Sequence, residues 1–329
     1  MNRHPLLSWL SRYANVAGLL LALAAIFLFF WTQIVNTEGI HTFAKPENLQ
    51  LIARQATIVG LAALGMTFVI ISGGIDLSVG SAVALVSVVI AWFLRAGYDP
   101  AVALMMGLVA GAACGLLNGS LITGLKVTPF IVTLGTLLIF RGVAKWIGDE
   151  KKIDADLTWL NDLLRVLGKD EKWKVFPEGV WMTILLAVFL ALVLRSSRFG
   201  RNVMAVGGNE QATRYAGVAV GKVRLAVYIL MGFFVGMAGL MQFTRLSVGD
   251  PTVAQGLELD VIAAVVIGGA SLSGGQGSIF GTIIGVLIMA TIRAGCSQMG
   301  LSNYIQEIVT GGIIVAAIGL DRLRSRRSA

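Results

Sequence analysis

Long apolar stretches recur along the whole chain, and they constrain its fold more than any other feature of the sequence. They lie near 14–34, 48–72, 81–95, 101–123, 127–148, 178–195, 225–245, 259–272, 279–295 and 303–320. About 20 apolar residues suffice for a helix to cross the hydrocarbon core of a bilayer. Because backbone in lipid must satisfy its own hydrogen bonds, this pattern predicts a membrane protein built from helices.

The composition excludes several other classes of protein. Only 13% of the 329 residues are charged, about half the share in soluble domains. Cys114 and Cys296 both lie in apolar stretches, which indicates small buried side chains and no disulfide framework. The two histidines, His4 and His41, cannot build a metal site with cysteines placed so far away. We therefore expect neither a metal nor a cofactor.

The basic residues indicate how the chain is oriented in the membrane. With ten spans, both termini and the connection between the sixth and seventh spans fall on one side. These three regions carry Arg3, Arg12, Arg195, Arg198, Arg201, Arg214, Lys222, Arg224, Arg322, Arg324, Arg326 and Arg327. Lysine and arginine mark cytoplasmic loops, whereas the 149–178 connection on the other side mixes acids and bases. The net charge of +8 thus reflects the lysines and arginines that orient the chain in the membrane, and we expect no nucleic-acid partner.

These observations predict an all-α fold, a polytopic membrane helix bundle formed by residues 1–329 as a single domain. About ten transmembrane helices, some broken or re-entrant, leave both termini in the cytoplasm. Glycines four residues apart, which let helix backbones approach closely in lipid, support a compact bundle. They are Gly107, Gly111 and Gly115, then Gly232 with Gly236, and Gly281 with Gly285.

Residues 72–81, SGGIDLSVGS, break the apolar pattern between two spans. Non-helical backbone at membrane depth persists only where protein buries it or water reaches it. Asp76 is the strongest functional candidate in this segment, because an acid inside a membrane marks a candidate functional site. Two interpretations stay open: Asp76 or Ser78 caps and braces the following helix, or the acid lines a transport pathway. A similar V-I…G-G-x-x-L-S pattern recurs at 266–273.

The string LSGGQ at 272–276 is one that ATP-binding-cassette ATPases carry, but the rest of such a domain is missing. A phosphate-binding loop requires G-x-x-x-x-G-K-[ST], and the nearest approach, GVAVGKV at 217–223, is one residue short and lacks the hydroxyl residue. The sequence therefore predicts that this chain does not hydrolyse ATP by itself and is not an enzyme.

Residues 196–224 form the one long hydrophilic connection among the basic regions. A short helix is predicted from Asn209 to Ala216, with Asn209 as its N-cap, Glu210 at its positive end and Gly217 as its C-terminal stop. The segment is either a docking element outside the membrane or a solvated loop that carries orienting charges.

Four motifs, in order along nearly the whole chain, resemble the ribose/monosaccharide branch of ABC-importer permeases, within the branched-chain-amino-acid/ribose type. These motifs are GGIDLSVGS at 73–81, PFIVTLGTL at 129–137, GRNVMAVGGNEQATRYAGV at 200–218 and LDVIAAVVIGGASLSGGQGS at 259–278. Thr213 departs from the usual alanine and Ala216 from the usual serine of the third motif, which leaves the implied role of that motif intact.

The resemblance implies a multi-pass permease in the bacterial inner (plasma) membrane. Its partners would be an ABC ATPase subunit with tandem cassettes, a periplasmic sugar-binding protein, membrane lipid and a second permease copy or a paralogue. On this basis 196–224 is a cytoplasmic coupling segment, 149–178 a periplasmic loop, and 209–218 the part that sits in the ATPase. The expected coupling residues are Asn209, Glu210, Ala212, Arg214 and Gly217. Glu210 and Arg214 are also spaced for a solvated ion pair.

A sugar pathway needs hydroxyl and amide groups that bind weakly enough to release their cargo. The candidates are Asp76, Ser78, Asn118, Thr133 and Thr136, for each of which hydrogen bonding between helices is the competing interpretation. Glu258 and Asp260 either cap the eighth span or contact the binding protein.

The predicted function is a permease subunit for a monosaccharide, a ribose, other pentose or hexose. The alternative is a secondary transporter driven by an ion gradient, which requires paired acids or an acid–histidine relay within the spans. Asp76 is the one mid-chain membrane acid that this alternative offers.

Overall fold

The computed structural model describes residues 5–35 and 39–328; Arg3 lies outside the described residues. The first half of the chain contains α1 (Pro5–Gln33), α2 (Pro46–Ile71), α3 (Val79–Arg95), α4 (Pro100–Leu125), α5 (Pro129–Ile147), β1 (Ile153–Asp154) and α6 (Trp159–Asp162). A 3-10 helix at Lys169–Lys174 follows. The second half contains α7 (Glu178–Ser196), α8 (Arg198–Gly208), α9 (Glu210–Tyr215), α10 (Val220–Leu246), β2 (Val248–Gly249), α11 (Leu257–Ile267), α12 (Ile279–Gln298) and α13 (Asn303–Ser328).

Each predicted apolar stretch overlaps a helix, so the all-helical prediction is confirmed. Within the described part of the chain, seven helices are long and apolar enough to cross a membrane: α1, α2, α4, α5, α7, α10 and α12. The other three stretches correspond to α3, which has 17 residues, α11 and α13. Among the described residues, β1 and β2 are the sole strands, and they pair antiparallel with Ile153 opposite Gly249.

Proline sets the beginning of three helices. Pro46, Pro100 and Pro129 each occupy the first turn of α2, α4 or α5. There the missing amide hydrogen costs nothing and the fixed φ angle suits the helix. Asp99 also caps α4, because its side chain accepts a hydrogen bond from the Ala101 amide at 2.8 Å.

The end of the eighth apolar stretch differs from the prediction. The stretch was placed at 259–272, but α11 ends at Ile267, and Gly268 and Gly269 turn the chain out of the helix. Gly269 has φ +92°, a conformation that glycine adopts at little cost. The 11 residues of α11 rise about 16 Å, about half of a hydrocarbon core of roughly 30 Å. Non-helical residues 268–278 continue the chain from there to α12.

The two glycine runs face each other between α4 and α10. A Cβ atom built on Gly111 would lie 2.6 Å from the Cα of Gly236, and one on Gly115 would lie 2.9 Å from the Cα of Gly232. The two backbones are thus in direct contact, as small residues four apart allow. This contact places α10 in the middle of the bundle, where α2 and α12 also bury most of their residues.

The outer surface of the bundle is apolar. Leu134, Leu138, Leu185, Phe189 and Leu192 on α5 and α7 are all exposed. In a soluble protein such a surface would aggregate, whereas in a bilayer it contacts lipid tails at no cost.

Candidate functional site

The sequence of α9 encodes both of its ends. The Asn209 side chain accepts a hydrogen bond from the Ala212 amide at 2.9 Å, which is the predicted N-cap. At the other end Gly217 has φ +81°, and the Gly217 and Val218 amides donate to the Arg214 and Thr213 carbonyl oxygens. This pattern is a Schellman motif, which requires a left-handed residue just past the helix. The short helix predicted from Asn209 to Ala216 is therefore present.

Two side chains fix α9 to its neighbours. The buried Thr213 hydroxyl lies within hydrogen-bond distance of the Ala205 carbonyl oxygen in α8, at 2.8 Å, and of the Asn209 carbonyl oxygen, at 2.7 Å, so it packs α9 against α8. Glu210 forms ion pairs with Arg214 at 2.8 Å and with Arg224 of α10 at 2.6 Å. Partial burial alone would raise the pKa of Glu210, but hydrogen bonds and charge from both arginines outweigh it and hold the pKa below its ordinary value. Glu210 therefore pairs with Arg214 inside α9 and also connects α9 to α10 through Arg224.

The remaining face of α9 is open. Asn209, Ala212, Arg214 and Gly217 are all exposed, and Tyr215 is 90% exposed. An aromatic side chain this exposed on a short, firmly held helix suits a protein contact, because tyrosine and arginine are enriched at interfaces. The sequence analysis did not select Tyr215, and no pattern in the sequence separates it from buried aromatic residues.

The helix α8 was not predicted, although its buried positions Gly200, Val203 and Val206 follow helical spacing. Phe199 at its beginning stacks on Phe68 of α2, with ring centroids 5.9 Å apart. At its end, Gly207 lies against two backbones: a Cβ atom there would overlap the Ile71 carbonyl oxygen and lie 2.6 Å from the Gly275 amide nitrogen. The 196–224 segment therefore touches the end of α2 and the loop before α12 directly.

The break at 72–78 is organised by a buried polar group that we call the Asp76 cluster, formed by Asp76, Ser78 and Asn118. Asp76 Oδ1 accepts hydrogen bonds from the Ser78 amide at 2.8 Å and from the Ser78 hydroxyl at 2.6 Å. Asn118 Nδ2 donates to Ser78 Oγ at 2.9 Å and to Asp76 Oδ2 at 3.4 Å. The acid thus braces the turn that begins α3 and links it to α4.

Thr133 and Thr136 lie beside this cluster on one face of α5. The Thr133 hydroxyl is within hydrogen-bond distance of the Ile75 carbonyl oxygen at 3.2 Å and of the Pro129 carbonyl oxygen at 3.0 Å. The Thr136 hydroxyl donates to the Thr133 carbonyl oxygen one turn below. The structure therefore brings the five predicted pathway residues into one region, where three helices meet.

All five of these residues are buried, each at most 3% exposed. Asn118 joins α4 to the turn before α3, and Thr133 lies within hydrogen-bond distance of the Ile75 carbonyl oxygen of that turn, so in this conformation these side chains brace the bundle. Asn118 Oδ1 is buried without a hydrogen-bond partner among the described residues. A buried polar atom without a hydrogen bond lowers the stability of the folded state. Within the Asp76 cluster, Asn118 Oδ1 is such an atom.

At the far end of α10, Asp260 takes a position that differs from both sequence-based alternatives, and Arg141 fixes a neighbouring turn. Asp260 is buried and pairs with Arg293 of α12 at 2.5 Å, so it neither caps α11 nor lies on the surface. Arg141 of α5 donates to the Pro251 and Val253 carbonyl oxygens at 2.8 and 2.7 Å. It thereby fixes the turn that precedes α11.

Comparison with known proteins extends these observations. Residues 48–318 match the protein family described as branched-chain amino acid transport system / permease component. The chain is 41% identical over 292 residues to the ribose import permease protein RbsC of Bacillus subtilis (strain 168), covering 86% of this chain and 87% of that protein.

Two further relatives cover the chain comparably. The ribose import permease protein RbsC of Escherichia coli (strain K12) is 39% identical over 312 residues, 94% of this chain and 96% of that protein. The D-allose transport system permease protein AlsC of the same strain is 37% identical over 287 residues, 86% of each chain. No solved structure matches the chain with statistical significance.

Proposed function

The chain belongs to the branched-chain amino acid transport system / permease component family, and on that premise we propose that it is the membrane-spanning subunit of an ATP-driven importer for a monosaccharide. The relatives named for ribose, allose and arabinose supply the substrate class. The observation that carries the proposal is α9, a capped helix held between α8 and α10 with one face open.

We propose that α9 docks into a separate ATPase with two fused cassettes. Ala212, Arg214, Tyr215 and the Gly217 turn supply the open face, while Asn209 and Glu210 keep the helix formed and attached. ATP binding moves the ATPase and the docked helix with it. Such movement reaches the bundle because Gly207 is in contact with the backbones of Ile71 and Gly275.

We propose an arrangement with ten membrane passages, both termini and 196–224 in the cytoplasm, and 149–178 in the periplasm of a bacterial inner membrane. The positive charge of 195–224 and of the C-terminal tail supports this orientation. The eighth passage is then a half-helix, α11, completed by the non-helical residues 268–278, which protein must bury at membrane depth.

We also propose that the Asp76 cluster and Thr133 and Thr136 form a closed constriction of the sugar pathway. Its hydroxyl, amide and carboxylate groups suit transient contacts with sugar hydroxyls. Opening requires the hydrogen bonds between Asn118 and residues 76–78 to break, which a shift of α4 against α3 accomplishes. A second copy of this chain or a paralogue, and a periplasmic sugar-binding protein, complete the transporter.

The test is sugar-stimulated ATP hydrolysis by this chain reconstituted with a tandem-cassette ATPase and a sugar-binding protein from the same organism. The double variant Glu210→Ala, Gly217→Pro removes the Arg224 pair and forces a φ angle incompatible with +81°. We expect stimulation to be lost while the protein remains in the membrane. Gly221→Ala, at a position where a Cβ atom meets nothing within 4 Å, is the control that keeps stimulation.

A different result would reject the proposal. If no ATPase binds this chain, and sugar uptake instead collapses when an ionophore removes the ion gradient, the chain is a secondary transporter. Asp76 would then be the residue to study.

A further inference from the structure

A polar cavity of about 280 Å³ lies between α2, α10, α11 and α12, with α13 closing one side. It is at the end of α10 away from the 196–224 segment, since Gln242 and Arg245 come just before α10 ends at Leu246. Small-molecule pockets measure roughly 300–1,000 Å³. The cavity therefore has room for one sugar ring and less volume than pockets that take larger ligands.

Helical spacing brings polar side chains to this cavity from each wall. Gln55 on α2, Gln242 on α10 and Gln306 on α13 supply three amides. Arg293 and Ser297 are four residues apart on α12 and therefore lie on one face of that helix.

Two of these residues, Gln242 and Asp260, carry polar atoms that have no hydrogen-bond partner among the described residues. Gln242 is only 5% exposed, and its amide makes no hydrogen bond within the described chain. Asp260 pairs with Arg293 through Oδ2, but its Oδ1 is buried and without a partner. An amide supplies both donors and acceptors, and a carboxylate oxygen accepts. Both groups line the cavity, so a bound molecule would satisfy them.

We infer that this cavity is a binding site for one monosaccharide, held by Gln242, Asp260 and Arg293, with Gln55 on its wall. The inference rests on the proposed function for its substrate class. Asp260 accepts hydrogen bonds from sugar hydroxyls, Arg293 donates to hydroxyl oxygens, and the Gln242 amide does both. Because Arg293 is already neutralised by Asp260, the charged pair suits a neutral polyol.

Arg245 adds a positive charge to the wall of the cavity. Among the described residues, no carboxylate forms an ion pair with Arg245. A sugar acid is therefore the ligand that the experiment must distinguish from a neutral sugar.

The experiment measures protection of an introduced thiol. Cys114 and Cys296, both buried, are first replaced by alanine. Gln55→Cys is then labelled with a charged methanethiosulfonate reagent on the full chain in lipid nanodiscs. The matched control is Gln50→Cys, which is on the same helix but outside the cavity, where the glutamine side chain donates to the Val175 carbonyl oxygen. The labelling rates are compared without sugar and with a millimolar excess of D-ribose, D-allose, L-arabinose, D-glucuronate or sucrose.

We expect at least one neutral monosaccharide to slow labelling of Gln55→Cys several-fold, sucrose to have no effect, and Gln50→Cys to react equally under all conditions. Adding Gln242→Leu to Gln55→Cys should abolish the protection. The inference is wrong if no neutral sugar protects, if D-glucuronate alone protects, or if protection survives Gln242→Leu.

A second measurement covers the case in which the cysteine variants do not fold. In the otherwise unaltered chain within the reconstituted importer, Gln242→Leu should raise the sugar concentration for half-maximal uptake about tenfold; an unchanged value contradicts the inference. Labelling uses this chain without any ATPase, so the two proposals fail separately. Absence of protection by every neutral sugar rejects the site, whereas failure of the chain to bind any ATPase rejects the proposed function.

Discussion

The amide of Gly275 donates a hydrogen bond to the carbonyl oxygen of Ile71 at 2.8 Å. This bond joins the two glycine-rich breaks of the bundle, which are about 200 residues apart in the sequence. Gly207, near the end of α8, lies in the same junction and brings the 196–224 segment against both breaks. The three backbones approach so closely that side chains are excluded between them.

The junction leads to a first prediction, for Gly207→Ala. The new Cβ atom would overlap the Ile71 carbonyl oxygen, and neither backbone can move without shifting a helix. We expect a loss of about 1–3 kcal/mol in stability and reduced sugar-stimulated ATP hydrolysis. Thermal unfolding of the purified protein and the ATPase assay measure the two effects.

The control for this change is the adjacent residue. A Cβ atom on Gly208 meets nothing within 4 Å, so Gly208→Ala should leave both measurements unchanged. Equal behaviour of the two variants would show that the contact is not as close as the structure has it.

The second prediction concerns the contact between α4 and α10. Gly115→Ala places a methyl group against the Tyr228 carbonyl oxygen and 2.9 Å from the Cα of Gly232, which forces the two helices apart. We expect the thermal unfolding temperature to fall by several degrees. Gly124→Ala, on the same helix with nothing within 4 Å, should be neutral or slightly stabilising. A melting temperature for Gly115→Ala equal to that of Gly124→Ala would contradict this packing.

The third prediction is a pH dependence of the contact between Glu210 and Arg224. The folded-state pKa of Glu210 lies below its ordinary value of 4.5, because the hydrogen bonds and charge of Arg224 and Arg214 outweigh partial burial. A lowered pKa means that the ion pairs stabilise the fold above pH 4.5, and that this stabilisation is lost as the pH falls through the lower value. Since both partners are partly exposed, the effect should be about 0.5 kcal/mol.

The measurement is the stability difference between the natural chain and Glu210→Gln across pH. It should be constant from pH 8 to about pH 5 and should shrink at lower pH. The control is Glu210→Gln in an Arg224→Gln background, where most of this pH dependence should be missing because the ion pair is already broken. A difference that grows as the pH falls would contradict the assigned ion pair.

The fourth prediction separates the charge of Asp76 from its hydrogen bonds. Asp76→Asn retains an oxygen that accepts from the Ser78 amide and hydroxyl, and Asn118 can turn its unpaired Oδ1 toward the new amide. We expect this variant to fold and to keep ATP-driven uptake. Asp76→Leu leaves the buried Ser78 amide without an acceptor and should lower stability by about 1–3 kcal/mol.

Thermal unfolding and uptake into proteoliposomes test both variants of Asp76. Loss of uptake in Asp76→Asn, with unchanged stability, would mean that transport requires the charge itself. That outcome would favour an ion-coupled transporter over the proposed importer.

Much of the fold could be predicted from the sequence because the signals are local. Apolar stretches of about 20 residues report membrane helices regardless of their neighbours. The ends of α9 were likewise predictable, since Asn209 and Gly217 act on backbone groups within four residues. The glycine runs in α4 and α10 predicted close packing of helices, but the sequence did not indicate that these two helices pack against each other.

Contacts between distant residues were decided by the tertiary structure alone. Nothing near Asp260 indicates that Arg293 is its partner, and no pattern around Gln242 places it in a cavity. Amphipathic spacing tells which face of a helix is buried, but which faces meet depends on how all the helices of the bundle pack together, and that is a property of the whole chain.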